Sequence, residues 1–268
     1  MTVATFEQQG TGLRPMGIHP TLKDASAILP DGVYTTLRTY GRRRILRLGQ
    51  HLARLLESAA LKGMPGPLDD GPVRAAVAAA LDATAFAESR FRLTFAPPRL
   101  FLSIEPFVPL PSGLYDEGAA CLTVPVRRFN PHAKDTQFIA TASAAYGGLP
   151  PGVEEGLMLA EDGSVLEGLS SNFFAVKKGR LWTEEGRVLA GVTRALVLEV
   201  ATEVLPVERT ATRLGDGVEE CFITSVSREV LPVVSIDGRQ VGDGRPGPVT
   251  REIARRFAAL VEREAEAL

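Results

Sequence analysis

The chain is poor in residues that often announce a function. It has two cysteines in 268 residues. Cys121 and Cys221 lie far apart in apolar, strand-like text, so they read as small core residues of a cytoplasmic protein and not as a disulfide framework. Three histidines (His19, His51, His132) without clustered cysteines argue against structural zinc, and no metal site is expected. Neither sign of charge dominates. Thirty basic against 32 acidic residues leave a net charge of −2, which gives no pull toward a phosphate backbone, so no nucleic-acid partner is expected. No apolar run reaches the roughly 18 residues of a membrane span. The opening Met1-Thr2-Val3-Ala4-Thr5-Phe6-Glu7 lacks the charged-then-apolar layout of a signal peptide. A cytoplasmic protein without a membrane partner is the expectation.

Lysine is the most telling scarcity. Of 30 basic residues only five are lysine: Lys23, Lys62, Lys134, Lys177 and Lys178. Arginine can replace most surface charges, but its guanidinium stays protonated and cannot form a Schiff base, so each lysine here carries more information than usual.

What is present is ordinary globular text, 45% hydrophobic and 23% charged, with no repeat and no low-complexity segment. The first twenty residues show no clear period. Asp31-Gly32 signals a turn, and Val33–Tyr40 and Ile45–Leu48 read as strands. From His51, Leu52, Leu55, Leu56, Ala59 and Ala60 recur at helical spacing up to a Lys62-Gly63 stop. A second helix is predicted from Pro72 to about Ala87, then strands at Phe91–Phe95 and Leu100–Val108. Pro109-Leu110-Pro111-Ser112-Gly113 is the linker candidate. Beyond it come a buried strand over Ala119–Val126, a hairpin turning at Asp162-Gly163, a second turning at Lys177-Lys178-Gly179, a helix from Gly191 to about Leu205, a strand over Glu220–Thr224 and a helix from Pro248. The reading is an α+β protein with a smaller domain over 1–113, a linker at about 109–117, a larger domain over 118–268, and a cleft between them as the place for a ligand.

Four stretches carry chemistry. Lys134 follows a strand and a Pro-containing turn. Glu167 ends an apolar strand before the polar turn Gly168-Leu169-Ser170-Ser171. Gly191, Val192 and Thr193 open a helix, where free N–H groups suit an anion. Ser225, Val226 and Ser227 follow a strand and offer hydroxyls to a second anion contact. An amine for an imine, a carboxylate for a ring nitrogen and two phosphate nests form the parts list of a pyridoxal phosphate enzyme.

Their order resembles the class IV, or fold type IV, pyridoxal phosphate enzymes, which include branched-chain and D-amino acid aminotransferases and aminodeoxychorismate lyases. The resemblance runs from about Asp31 to Pro248. Asp31-Gly32-Val33-Tyr34 looks like the family's first active-site strand, and His51-Leu52-Ala53-Arg54-Leu55-Leu56-Glu57-Ser58-Ala59 looks like its H-x-x-R-L-x-x-S-A helix. The resemblance implies a two-domain fold with the cofactor in the interdomain cleft and a homodimer. It implies that Lys134 is the Schiff-base lysine and proton carrier. Glu167 would then hold the ring nitrogen, and Arg54, Gly191, Val192, Thr193, Ser225, Val226 and Ser227 would bind the phosphate end. Tyr34 would face the substrate. Three positions depart from the pattern: Ile139 where many members carry a tyrosine, Val226 where a threonine is usual, and Thr94-Phe95-Ala96 where relatives show Thr-Arg-Gly. The arginine for a substrate carboxylate is therefore sought among Arg38, Arg92, Arg99 and Arg128, with Arg38 and Arg92 foremost. The expected function is amino transfer from an amino acid, branched-chain-like, to a 2-oxo acid. Elimination of pyruvate by a lyase, and cofactor binding with little turnover, stay open at this point.

Overall fold

The structure, a computed structural model, describes residues 2–215 and 217–268. Its chain divides into two compact units. The first runs up to Val108 and takes in Ala133–Ala140 and Val261–Leu268; the second comprises Pro109–His132 and Thr141–Leu260. The segment expected as a linker starts where the second unit starts, at Pro109, and carries a short helix. Lys134, placed by sequence in the larger domain, belongs to the first unit.

In the first unit β1 (Val3–Gln9) and β2 (Gly12–His19) form a hairpin, followed by α1 (Leu22–Ala27), β3 (Val33–Tyr40), β4 (Arg44–Leu46), α2 (Leu48–Leu61), α3 (Asp70–Thr84), β5 (Ser89–Ala96) and β6 (Arg99–Pro106). A C-terminal strand, Ala265–Ala267, joins β4, and the seven-stranded antiparallel sheet runs C-terminal strand, β4, β3, β5, β6, β1, β2. β3 alternates in burial, with Val33, Thr35, Leu37 and Thr39 inward. Leu37, Phe91, Leu93 and Ile104 of the sheet meet Leu48, Leu52, Leu55, Ala59, Val77 and Leu81 of α2 and α3 in one apolar core. The helix expected from His51 starts three residues earlier because Leu48 is itself a core residue.

The first hairpin is not legible because two of the three buried positions of β1, Thr5 and Glu7 beside Val3, are polar. Thr5 faces Ser103, their hydroxyls 3.2 Å apart, and Glu7 pairs with Arg14 and Arg99. β2 has no buried residue at all, so neither strand shows an apolar alternation.

The second unit contains α4 (Ser112–Glu117), β7 (Ala119–Val124), β8 (Val153–Leu159), β9 (Val165–Gly168), β10 (Asn172–Lys177), β11 (Arg180–Trp182), α6 (Val192–Ala201), β12 (Val207–Glu208), β13 (Glu220–Ser225), β14 (Glu229–Ile236) and β15 (Arg239–Gln240). Two further helices, α5 (Gln137–Gly147) and α7 (Pro248–Glu264), begin or end in the first unit. The strands follow the order β10, β13, β14, β7, β8, β9, and β9 pairs back onto β10. These six therefore close into a barrel, which leaves them no free edge. Cys121, Leu157, Val165, Phe173, Cys221, Ile223 and Leu231 form its apolar filling. Both thiols are free and buried, as expected. β7 is less buried than its sequence suggested, with only Ala119 and Cys121 fully inside. Among the described residues no helix is long and apolar enough to cross a membrane, and no cluster of side chains suits a metal ion.

Candidate active site

In the first unit α2 carries a polar stripe beside its apolar one. His51, Arg54 and Ser58 are spaced by three and four residues, so they share one face, and all three are buried. Thr35, on the inward face of β3, receives two of them. Its Oγ1 lies 2.8 Å from His51 Nδ1 and accepts a hydrogen bond from Arg54 Nη2 at 2.7 Å. Ser58 Oγ accepts from the backbone N–H of Lys134 at 3.1 Å. On its other side the Lys134 carbonyl accepts from the Tyr34 N–H at 2.8 Å, and the Thr136 N–H donates to the Gly32 carbonyl at 2.9 Å. Gly32 is required there, since a Cβ would stand 2.3 Å from the Phe95 carbonyl oxygen. The lysine backbone is thus pinned from both sides, and Nζ sits 5.0 Å from the centre of the Tyr34 ring.

Burial, reinforced by the charges of Arg54 and Lys134, holds the His51 imidazole well below its ordinary pKa of 6.5. The unfolded chain takes up a proton as pH falls through 6.5, whereas the folded chain does not. His51 therefore contributes stability that is complete above that pH and lost below it, at up to about 1.4 kcal/mol per pH unit. Urea titrations at pH 7 and 5.5 should show this loss in the wild type and a shallower one in His51→Gln. Equal losses would remove His51 from the account.

The two foremost arginine candidates separate. Arg92 lies under Tyr34, its guanidinium 4.7 Å from the ring centre, and donates to the Leu22 carbonyl and to Ser26 Oγ. Burial lowers its pKa. Arg38 stands four residues along β3 from Tyr34, roughly 13 Å at strand rise. It is stacked 3.9 Å from the Phe107 ring centre and 4.3 Å from that of Tyr40, and it pairs with Glu88 at 3.4 Å. Arg99 is engaged by Glu7.

In the second unit the barrel closes at a single pair, Glu167 of β9 opposite Asn172 of β10. Glu167 Oε2 accepts from Asn172 Nδ2 at 3.2 Å and from the Leu189 N–H at 3.1 Å. Asn172 Nδ2 also donates to the Leu189 carbonyl at 2.9 Å. Arg128 Nε lies 3.1 Å from Glu167 Oε1, with both side chains buried. Arg128, another candidate for a substrate carboxylate, is thus found against the proposed ring-nitrogen carboxylate. Across the next pairing Asn172 stands opposite Thr224 of β13, whose Oγ1 is buried without a hydrogen-bond partner.

Gly191 touches the same asparagine: a Cβ there would stand 2.3 Å from Asn172 Oδ1. It caps α6 without a side-chain hydrogen bond, so the first-turn N–H groups near Val192 and Thr193 are left for an anion. Ser225 ends β13, and Val226 and Ser227 form the turn before β14. Ser225 Oγ accepts from the Arg228 N–H at 3.2 Å, which leaves its own proton to donate.

The unpartnered Thr224 hydroxyl, the uncapped helix start and the close approach at Gly191 suit a ligand with anionic oxygens. Each unit by itself offers groups of a kind that pyridoxal phosphate requires, an amine at Lys134 in the first and a buried carboxylate at Glu167 in the second. Sequence reading named Lys134, Arg54 and Glu167, yet passed over Thr35, Ser58 and Asn172, which orient them. Ser58 had a legible signal, since it falls on the helical face of His51 and Arg54. Thr35 and Asn172 had none, because their partners are brought to them by the fold.

Comparison with known proteins shows the family. The Amino-transferase class IV family matches residues 32–236. The branched-chain-amino-acid aminotransferase of Pseudomonas aeruginosa is 28% identical, over 88% of this chain and 86% of its own. The D-alanine aminotransferase of Staphylococcus haemolyticus is 40% identical over a shorter stretch, 37% of each chain. The solved branched-chain aminotransferase of Thermoproteus uzoniensis superposes with a TM-score of 0.80 at 25% identity, covering 99% of this chain and 97% of that one. Transfer is favoured over elimination, and turnover over mere binding. The chain belongs to the class IV aminotransferases, with the fold type IV architecture, and is a pyridoxal phosphate-dependent enzyme that moves amino groups.

Proposed function

We propose that the enzyme transfers the amino group of a branched-chain-like amino acid to a 2-oxo acid, with Lys134, Arg54 and Glu167 as its principal groups. The observation that carries the reading is the closure of the second-unit barrel, where a buried carboxylate, an asparagine and an uncapped helix start converge. The branched-chain donor is supported by the named activity of relatives matched over most of the chain.

Bound pyridoxal phosphate supplies an aldehyde for the amino group and a ring that accepts the electron pair released at the substrate α-carbon. The protein does the rest. Lys134 Nζ would anchor the cofactor and, once freed by the substrate amine, carry the proton from the α-carbon to the former aldehyde carbon, two bonds away. The Glu167 carboxylate keeps a proton on the ring nitrogen, and Asn172 and the Leu189 N–H hold that carboxylate in place. Arg54, Gly191, Val192, Thr193, Ser225, Val226 and Ser227 grip the phosphate end through a guanidinium, backbone N–H groups and hydroxyls. Tyr34 faces the substrate, and Arg92 behind its ring is better placed than Arg38 to influence it. A homodimer in the cytoplasm completes the proposal; reduced, buried Cys121 and Cys221 accord with that compartment.

Arg54→Ala should weaken pyridoxal phosphate binding by about ten- to a hundredfold, the worth of one charge-assisted contact. The apolar stripe of α2 should keep the fold near normal, which circular dichroism checks. Unchanged affinity would take Arg54 out of the site. The function itself is tested with L-leucine, L-isoleucine, L-valine and D-alanine as donors to 2-oxoglutarate. A branched L-amino acid should be the fastest donor. Preference for D-alanine would replace the donor class, and release of pyruvate without an amino acceptor would replace transfer by elimination.

A further inference from the structure

The most deeply buried charge of the second unit has no role in the site as described. Glu155, on β8, is 0% exposed. Its Oε1 accepts from the Gly156 N–H at 3.0 Å and from the Tyr146 hydroxyl. Its Oε2 accepts from Ser171 Oγ at 2.8 Å, Ser170 Oγ at 3.1 Å and the Ser170 N–H at 3.3 Å. Arg228 completes the cluster. Its Nη1 lies 3.5 Å from Glu155 Oε2 and donates to Ser170 Oγ at 3.0 Å, while Nη2 donates to the Glu154 carbonyl at 3.0 Å. Burial works against the charge of Arg228, but Glu155, Tyr146 and Glu154 together outweigh it and keep the guanidinium protonated.

The placement of this cluster is specific. Ser170 and Ser171 form the turn between Glu167 and Asn172. Glu155 lies directly under that turn: a Cβ on Gly168 would stand 2.8 Å from Glu155 Cγ and Cδ, and 2.2 Å from Ser171 Oγ. Gly168 therefore lacks a side chain so that Glu155 can occupy the space. At its other end Arg228 terminates the turn that carries Ser225, Val226 and Ser227, and its backbone N–H holds Ser225 Oγ. One guanidinium thus ties the turn beside the ring-nitrogen carboxylate to the turn that offers hydroxyls to phosphate.

We propose that Glu155 and Arg228 are positioning residues: they clamp the Gly168–Ser171 turn to the Ser225–Arg228 turn and so fix the separation between Glu167 and the phosphate hydroxyls. The clamp rests on the site assignment of Glu167, Ser225 and Ser227 proposed above. Pyridoxal phosphate is rigid, so its ring nitrogen and phosphate can be met together only if these two protein ends are held at the matching distance. A site preorganised in this way loses affinity for the whole cofactor when the clamp loosens, while a ligand held at one end loses little.

The test is titration of the cofactor-stripped full chain with pyridoxal phosphate and with pyridoxal, which lacks the phosphate. Arg228→Gln should weaken pyridoxal phosphate about tenfold or more and pyridoxal by less than about twofold, and Arg228→Lys should recover part of the loss. Equal weakening of both ligands, or of neither, overturns the clamp. Should Arg228→Gln fail to fold, Ser170→Ala removes the hydroxyl that joins Arg228 to Glu155 at an exposed position. It should lower the ratio of the two affinities several-fold, and an unchanged ratio overturns the proposal. Ser225→Ala with Ser227→Ala checks the underlying assignment separately. An unchanged ratio there overturns the phosphate assignment, and with it the clamp, whatever Arg228→Gln does.

Discussion

Lys134→Ala will fold, bind pyridoxal phosphate only reversibly and lose turnover by at least about a thousandfold. A placed acid–base group alone contributes about 10²–10⁴-fold, and here the covalent anchor goes with it. Folding should survive because the fold uses the lysine backbone: its N–H meets Ser58 and its carbonyl meets Tyr34, contacts that alanine keeps. Borohydride treatment of the wild type should fix the cofactor to one peptide, that of Lys134, and to none in the variant. Lys62 is the instructive control. It lies beside this segment, yet its amine donates to Gln137 Oε1 at 3.1 Å and pairs with Asp135. A label on Lys62 would refute the assignment. Lys134→Arg should be as inactive as the alanine variant, since a guanidinium neither adds to an aldehyde nor gives up a proton near neutrality.

Glu167→Gln will keep the cofactor and slow the half-reaction with an amino donor by at least about a hundredfold. The carboxylate favours the protonated ring nitrogen, and that positive charge stabilises the electron pair released at the substrate α-carbon. A lost charge-assisted contact in a site shielded from water costs about 2.7 kcal/mol or more, which sets the size of the effect. Glutamine preserves the volume and can still accept from Asn172 and Leu189, so the barrel closure should hold. Rapid mixing with the donor gives the rate directly. A rate within a few-fold of wild type would make Glu167 a structural residue of the hairpin. Arg128 sharpens the prediction. With Glu167 neutral its buried guanidinium loses a carboxylate, so stability as well as rate should fall.

Legibility in the sequence followed the range of the interactions. α2 was readable because its apolar and polar stripes are set by residues three and four apart. The β8–β9 hairpin was readable because Asp162-Gly163 names its turn locally. The β1–β2 hairpin was not, because Thr5 and Glu7 are satisfied by Ser103, Arg14 and Arg99, and such pairing leaves no apolar alternation. α5 was missed for a related reason: of its residues only Phe138 is buried, so the small alanines around it carry no helical stripe. The Pro and Gly of 109–113 mark a break in periodicity, and the first unit gives way to the second at Pro109, but they hide the helix Ser112–Glu117 that follows.

The sequence by itself determined which groups exist for the chemistry and in what order: one lysine amine at 134, the arginine of the His51–Ala59 helix, the carboxylate at 167, and the small residues at 191–193 and 225–227. These follow from side-chain type and near-neighbour spacing, which a linear chain displays openly. Only the tertiary structure decided what aims them. It brought Tyr34 to the backbone of Lys134 across a hundred residues, closed the barrel on Glu167 and Asn172, set Arg128 against Glu167, and put Glu155 beneath Gly168 with Arg228 beside it. Each of these contacts joins strands or turns distant along the chain, or satisfies a buried polar group that water cannot reach. Such pairings are selected by the packing of the whole unit, so no local pattern announces them.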